Sequence, residues 1–185
     1  FQSFVTEKSD VDGIYEASRG GADLLYTAVD DRSPAMNLHK SKVADKKATA
    51  AAGYVAALEG LAGTLAGKEV LLLGYGVLGK EFLKRLKNKG AAVSVHEIDP
   101  DKLSALSKEG VPVVSQQEEI ARYNLIVDAT NEGGWLREDV LHPEVRITAP
   151  GVPFSLDEKT YEKLSGRVVH DCLEIGVAAM LGLAL

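Results

Sequence analysis

Three glycines, Gly74, Gly76 and Gly79, stand in the pattern G-x-G-x-x-G directly after four apolar residues, Val70 to Leu73. Glycines at this spacing allow a sharp turn at the first, close approach of the backbone to a phosphate at the second, and tight helix–strand packing at the third. Tyr75, Val77 and Leu78 complete the loop. Behind it, Lys80 to Lys89 places Phe82, Leu83 and Leu86 on one helical face. A helix start offers free N–H groups and a positive dipole to an anion. A second strand-like run, Ala91 to Glu97, ends in an acid 23 positions after Gly74. That is near the roughly 20 at which a carboxylate accepts the hydroxyls of an adenosine ribose. Glu97 would repel a 2′-phosphate, and no arginine follows it. The pattern predicts a dinucleotide site for NAD rather than NADP.

Other residues with chemistry to offer lie at strand ends. Asp128-Ala129-Thr130-Asn131 follows the apolar run Leu125 to Asp128. Ala129, Thr130 and Asn131 are small and polar enough to approach the cofactor's sugars, or simply to cap the next helix. Pro150-Gly151-Val152-Pro153 follows another run, where Pro150 and Gly151 either shape a nicotinamide pocket or only turn the chain. Asp30 and Asp31 are adjacent after the apolar stretch Ala22 to Val29. Neighbouring strand residues point to opposite faces, so one of the two would face a cleft directly. A carboxylate there could hold a substrate ammonium group; on the residues alone, a solvated strand end is the simpler reading. The four histidines lack metal-ligand spacing, and no metal site is expected. His170-Asp171-Cys172 is too local to form a nucleophile triad, and no P-loop lysine pattern appears.

The elements that must position these groups alternate. Helical patterns cover Val11–Arg19, with Asp10 as N-cap, a long Lys46–Leu65, Pro100–Lys108, Trp135–Leu141, Leu156–Leu164 and Leu173–Leu185, with a helical turn at Gln116–Arg122. Strand patterns cover Phe1–Thr6, Ala22–Val29, the glycine-motif strand, Ala91–Glu97, Val111–Val114, Leu125–Asp128, Val145–Ala149 and Arg167–His170. The fold class expected is α/β: a Rossmann-type doubly wound parallel sheet, order 3-2-1-4-5-6, plus part of a smaller N-terminal α/β lobe built as a βαβ unit. The division expected is a partial substrate lobe at 1–45, a linking helix at 46–66 and an NAD-binding domain at 67–185.

The 185 residues are 45% hydrophobic and 26% charged, with a net charge of −6. That charge argues against general nucleic-acid binding. The single cysteine, Cys172, excludes an intrachain disulfide and suits a reducing cytoplasm. No apolar run reaches the roughly 18 residues of a membrane helix. The partners expected are a small-molecule substrate and, through the apolar closing helix, a second copy in a homodimer. The chain opens on Phe1, inside a strand-like run, which suggests that an N-terminal portion precedes it.

Several stretches together resemble the PylD family of pyrrolysine-forming dehydrogenases. They are SFVTEKSDVDGIYEA at 3–17, Asp30–Arg32, NLHKSKVA at 37–44, GYGVLG at 74–79, TAPGVP at 148–153 and IGVAAML at 175–181. They follow family order over nearly all of the chain, and those outside the glycine motif are the specific ones. The resemblance implies a Rossmann domain holding NAD, with Gly74, Gly76 and Gly79 at the pyrophosphate and Glu97 at the ribose. It also implies oxidation of the ornithine-side primary amine of 3-methylornithyl-lysine, and places Asp30 and Asp31 in the substrate pocket. Two residues depart from the family: Glu174 stands where a glycine is usual, and Tyr75 where an aliphatic residue is usual. The alternative is another NAD-dependent dehydrogenase on a similar two-lobe frame, of the dipicolinate synthase or methylenetetrahydrofolate dehydrogenase kind. A catalytic lysine of the latter kind has only Lys40 and Lys42 as candidates, in no matching motif.

Overall fold

The computed structural model describes residues 2–27, 34–171 and 174–185. Among these, the strands form two sheets, one of three strands and one of six. A six-stranded parallel sheet has the order β6-β5-β4-β7-β8-β9, which is 3-2-1-4-5-6 within the glycine-motif unit. Its strands are β4 (Glu69–Leu73), β5 (Ala92–His96), β6 (Val113–Val114), β7 (Leu125–Asp128), β8 (Arg146–Ala149) and β9 (Val168–His170). β4 sits centrally between β5 and β7, pairing Leu72 with Val95 on one side and with Val127 on the other. Val70, Leu71, Leu72 and Leu73 are all fully buried, as a strand covered on both faces requires.

Alternation along β4 divides the core. Val70 and Leu72 pack with Tyr54, Val55 and Leu58 of α2 (Lys46–Ala62) and with Phe82, Leu83 and Leu86 of α3 (Val77–Asn88). Leu71 and Leu73 face the opposite layer, with Ile126, Ile147, Leu136, Leu156 and Leu164. That layer includes α5 (Glu158–Lys163) and two short 3-10 turns at Gln117–Arg122 and Glu138–Val140. α4 (Pro100–Lys108) connects β5 to β6, and Asp99 caps it by accepting from Asp101 and Lys102 N–H.

The N-terminal region differs from the βαβ expectation. β1 (Leu24–Tyr26), β2 (Ala35–Asn37) and β3 (Lys42–Ala44) form an antiparallel meander. The cause is local: the Asn37 side-chain oxygen accepts from His39 and Lys40 N–H at 3.0 and 2.8 Å, turning the chain between β2 and β3. Residues 2–6 form no strand. They are largely exposed, and the next two amides, of Glu7 and Lys8, donate to the Glu16 carboxylate of α1 (Asp10–Arg19). Ser9, not Asp10, occupies the N-cap position of α1. The expected helix at 135–141 is instead a parallel bridge from Leu136 to Leu156 followed by a 3-10 turn.

α6 (Glu174–Ala184) packs along α2 and against β2 and β3, so it joins the small sheet to a helix of the parallel-sheet layer. At Gly53 of α2 a methyl group would come within 2.7 Å of Ile175 Cγ2, so only glycine permits this approach.

Candidate functional site

The loops after β4, β5, β7 and β8 meet along the carboxyl edge of the parallel sheet. Gly74 turns out of β4 at φ 85°, a conformation that favours glycine. A Cβ there would lie 3.1 Å from the Ala129 carbonyl and 3.3 Å from Thr130 Cγ2, which puts the loop after β7 against the glycine loop. A Cβ on Gly151 would stand 2.5 Å from the Thr130 carbonyl, which brings in the loop after β8. The structure thus gathers Gly74 to Gly79, Ala129, Thr130 and Gly151 in one place. Pro150 and Asn131 lie on the same loops, Asn131 exposed.

Within the glycine loop the three glycines do different work. A Cβ on Gly79 would overlap the Gly74 carbonyl, so this glycine lets α3 start directly under β4. A Cβ on Gly76 would meet nothing within 4 Å. The first bond into α3 runs from Lys80 N–H to the Gly76 carbonyl at 3.1 Å. The N–H groups of Val77, Leu78 and Gly79 therefore precede the helical ladder and point out of the helix start. Open space at Gly76 beside these donors fits a pyrophosphate. Val77 is 66% exposed at this mouth.

Glu97 is buried at the end of β5. Its Oε1 accepts from Ile98 and Asp99 N–H at 2.8 and 3.0 Å, and its Oε2 accepts from Tyr75 N–H at 2.8 Å. Lys102 Nζ lies 3.6 Å from Oε2. Burial works to raise its pKa, but the backbone donors of Asp99, Tyr75 and Ile98, with Lys102, outweigh burial and hold it below the ordinary glutamate range. A carboxylate has about four acceptor directions; three are taken, which leaves Oε2 a direction for a ribose hydroxyl. Tyr75 turns its ring away from the loop into the core.

Asp128 ends β7 and is buried. Its Oδ1 accepts from Thr130 N–H and Oγ1 at 3.0 and 2.7 Å, and its Oδ2 accepts from the Ser155 hydroxyl. Burial raises its pKa, against the lowering effects of Ser155, Thr130 and His170. The carboxylate thereby shapes the loop that touches Gly74 and Gly151. His170 stacks on Phe154 at 4.0 Å and its Nδ1 lies 2.8 Å from the Ala149 carbonyl.

Beyond Ile98 lies a cavity of about 430 Å3, lined by His96, Ile98, Gln117, Glu132, Trp135 and Arg137. Gln117, Trp135, Arg137 and Ser155 carried no signal in the sequence, because the groups each one meets are distant in the chain. Asp30 and Asp31 lie outside the described residues. Among the described residues, no group of His, Cys, Asp and Glu is placed to hold a metal ion, and no helix is long and apolar enough to cross a membrane.

A glycine loop on a central parallel strand, a carboxylate at the end of the next strand and a 3-2-1-4-5-6 sheet define an NAD-binding Rossmann-type dehydrogenase. The model of the S-adenosyl-L-homocysteine hydrolase NAD-binding domain matches residues 59–144. The dipicolinate synthase A chain of Bacillus subtilis superposes with a TM-score of 0.57 at 17% identity, covering 96% of this chain and 60% of that one; it shares the fold. A pyrrolysine synthase of Methanosarcina acetivorans is 30% identical over 98% of this chain and 70% of its own length. One of Methanosarcina barkeri is 29% identical over 98% of this chain and 68% of its own. The chain belongs to the pyrrolysine synthase family, and it is an NAD-dependent oxidoreductase of pyrrolysine biosynthesis.

Proposed function

We propose that the chain oxidises the ornithine-side primary amine of 3-methylornithyl-lysine, with NAD held by the glycine loop. The observation that carries this reading is the 30% identity to a pyrrolysine synthase across 98% of the chain, joined to a loop whose open Gly76 and free helix N–H groups suit a pyrophosphate.

In this reading Gly74, Gly76, Val77, Leu78 and Gly79 surround the pyrophosphate, the donors of the α3 start hold it, and Tyr75 anchors the loop from the core side. Glu97 accepts a ribose hydroxyl and excludes a 2′-phosphate. The cavity beyond Ile98 takes the adenine, and Ala129, Thr130, Asn131, Pro150 and Gly151 line the path toward the nicotinamide. NAD held there would supply the acceptor for the hydride leaving the carbon that bears the amine. Asp30 and Asp31 hold the substrate ammonium and take the proton that the amine must lose first. The resulting imine is hydrolysed with release of ammonia, and the aldehyde condenses with an internal amine, losing water, to close the pyrroline ring. Such a reaction belongs in a reducing cytoplasm, and the apolar α6 suits a homodimer contact.

The test is NAD reduction on lysine-linked 3-methylornithine, followed by absorbance, with the cyclised product sought by mass spectrometry. Reduction with a pyrroline product is expected. No reduction by folded protein that still binds NAD would refute this substrate and turn attention to other amines and amino acids. Asp30→Asn and Asp31→Asn, made singly, test the carboxylates; unchanged turnover in both would remove them from the chemistry.

A further inference from the structure

Tyr75 sits between Gly74 and Gly76, yet neither its N–H nor its side chain faces the mouth of the loop. The ring is 3% exposed and packs in the α2–α3 core layer. Its hydroxyl donates to the carboxylate of Glu109, 3.1 Å from Oε1 and 3.0 Å from Oε2. Lys80 Nζ, from the first turns of α3, lies 5.5 Å from the ring centroid. The Tyr75 backbone N–H donates to Glu97 Oε2 at 2.8 Å. One loop residue is thus tied to the end of β5, the start of α3 and the end of α4.

Glu109 is the odd member. It is the C-cap residue of α4, where a helix dipole disfavours negative charge, and its neighbour Lys108 carries the favourable sign. Packing does not explain it, because Glu109 is exposed. What it gains there is the Tyr75 hydroxyl.

We propose that the Tyr75–Glu109 hydrogen bond is a latch that pre-organises the glycine loop, making Tyr75 a positioning residue for the NAD pyrophosphate. The proposal rests on the glycine-loop reading of the NAD site. Without the latch the loop keeps its packing but samples more conformations, and binding must then order it. The loss should fall on the pyrophosphate and spare the adenosine end, which Glu97 and the cavity hold.

The test uses Tyr75→Phe, which keeps the ring, and Glu109→Ala, which touches only the surface. Each should raise Kd and KM for NAD by about three- to tenfold, the size of one ordinary hydrogen bond, because solvent screens the charge of the exposed Glu109. kcat and the inhibition constant of adenosine should stay unchanged. Glu109→Gln, whose amide oxygen still accepts, should restore near wild-type affinity, and the Tyr75→Phe/Glu109→Ala double variant should be no worse than either single one. Unchanged NAD affinity in Tyr75→Phe, or an equal loss for adenosine, would overturn the latch. Gly76→Glu separates the two levels: it adds a side chain where nothing lies within 4 Å, so it should fold and lose NAD. If it binds NAD as wild type does, the site reading itself fails, and the latch with it.

Discussion

Asn37 and Ala184, from opposite ends of the chain, are joined by a hydrogen bond: the Asn37 side-chain N–H donates to the Ala184 carbonyl at 3.0 Å. The same side chain's oxygen accepts two amides in the β2–β3 turn, and Lys40 Nζ reaches the Leu185 carbonyl at 2.6 Å. One asparagine therefore shapes a turn and caps the last turn of α6, whose final carbonyls lack helical partners. Asn37→Leu leaves the buried carbonyl and both turn amides unpaired. A destabilisation of about 1–3 kcal/mol is expected, from the one buried unsatisfied carbonyl, since water reaches the amides of the exposed His39 and Lys40. Urea denaturation checks it: the midpoint should fall. An Asn37→Leu midpoint equal to wild type would show the cap to be dispensable.

Gly76 and Gly79 should fail in different ways. Alanine at Gly79 drives a methyl into the Gly74 carbonyl, so the strand–helix junction must open. A loss of about 1–3 kcal/mol, typical of overpacking, should accompany lost NAD binding. Alanine at Gly76 meets open space in an extended backbone that accepts any residue, so Tm should hold while NAD affinity drops. Thermal melts with and without NAD separate the two: only Gly76→Ala should keep the apo Tm and lose the NAD-induced rise.

The parallel sheet is legible in the sequence because each of its strands is a short apolar run closed by a turn signal. β4 reads clearly, since both of its faces are buried and four apolar residues follow one another. The small lobe reads poorly. Its strands are three residues long, and their pairing depends on the Asn37 turn and on α6 covering them from the far end of the chain. The glycine loop and Glu97 stand out by spacing alone. Ser155 and Trp135 do not, because a hydroxyl 27 positions from Asp128 or an indole beside His96 becomes a neighbour only when the loops fold onto one edge.

Glu97 should give stability an acid limb. Its folded pKa is depressed, so its contribution is present above the unfolded value, about 4.3, and is lost as pH falls through the lower folded value. Glu97→Gln removes that limb. It also leaves one of three backbone N–H groups without an acceptor, costing about 1–3 kcal/mol at neutral pH. Urea midpoints from pH 7 down to 3 should converge between the two proteins as the wild type loses its advantage. The variant should also discriminate less against NADP, because the charge that repels the 2′-phosphate is gone.

Asp128 should act with the opposite sign. Burial raises its folded pKa, so its contribution is full below the unfolded value, about 3.9, and declines as pH rises through the raised folded value. The Ser155 hydroxyl, which donates to Oδ2, is one of the groups restraining that rise. Ser155→Ala should push the Asp128 pKa further up and extend the declining window to higher pH. Carbon-detected NMR titration of the Asp128 carboxyl reads this directly, with Thr130, which donates twice to Oδ1, still in place in both proteins. A pKa that stays put or falls in Ser155→Ala would show that the hydroxyl does not stabilise the charged form. The loop that touches Gly74 and Gly151 would then owe its shape to Thr130 alone.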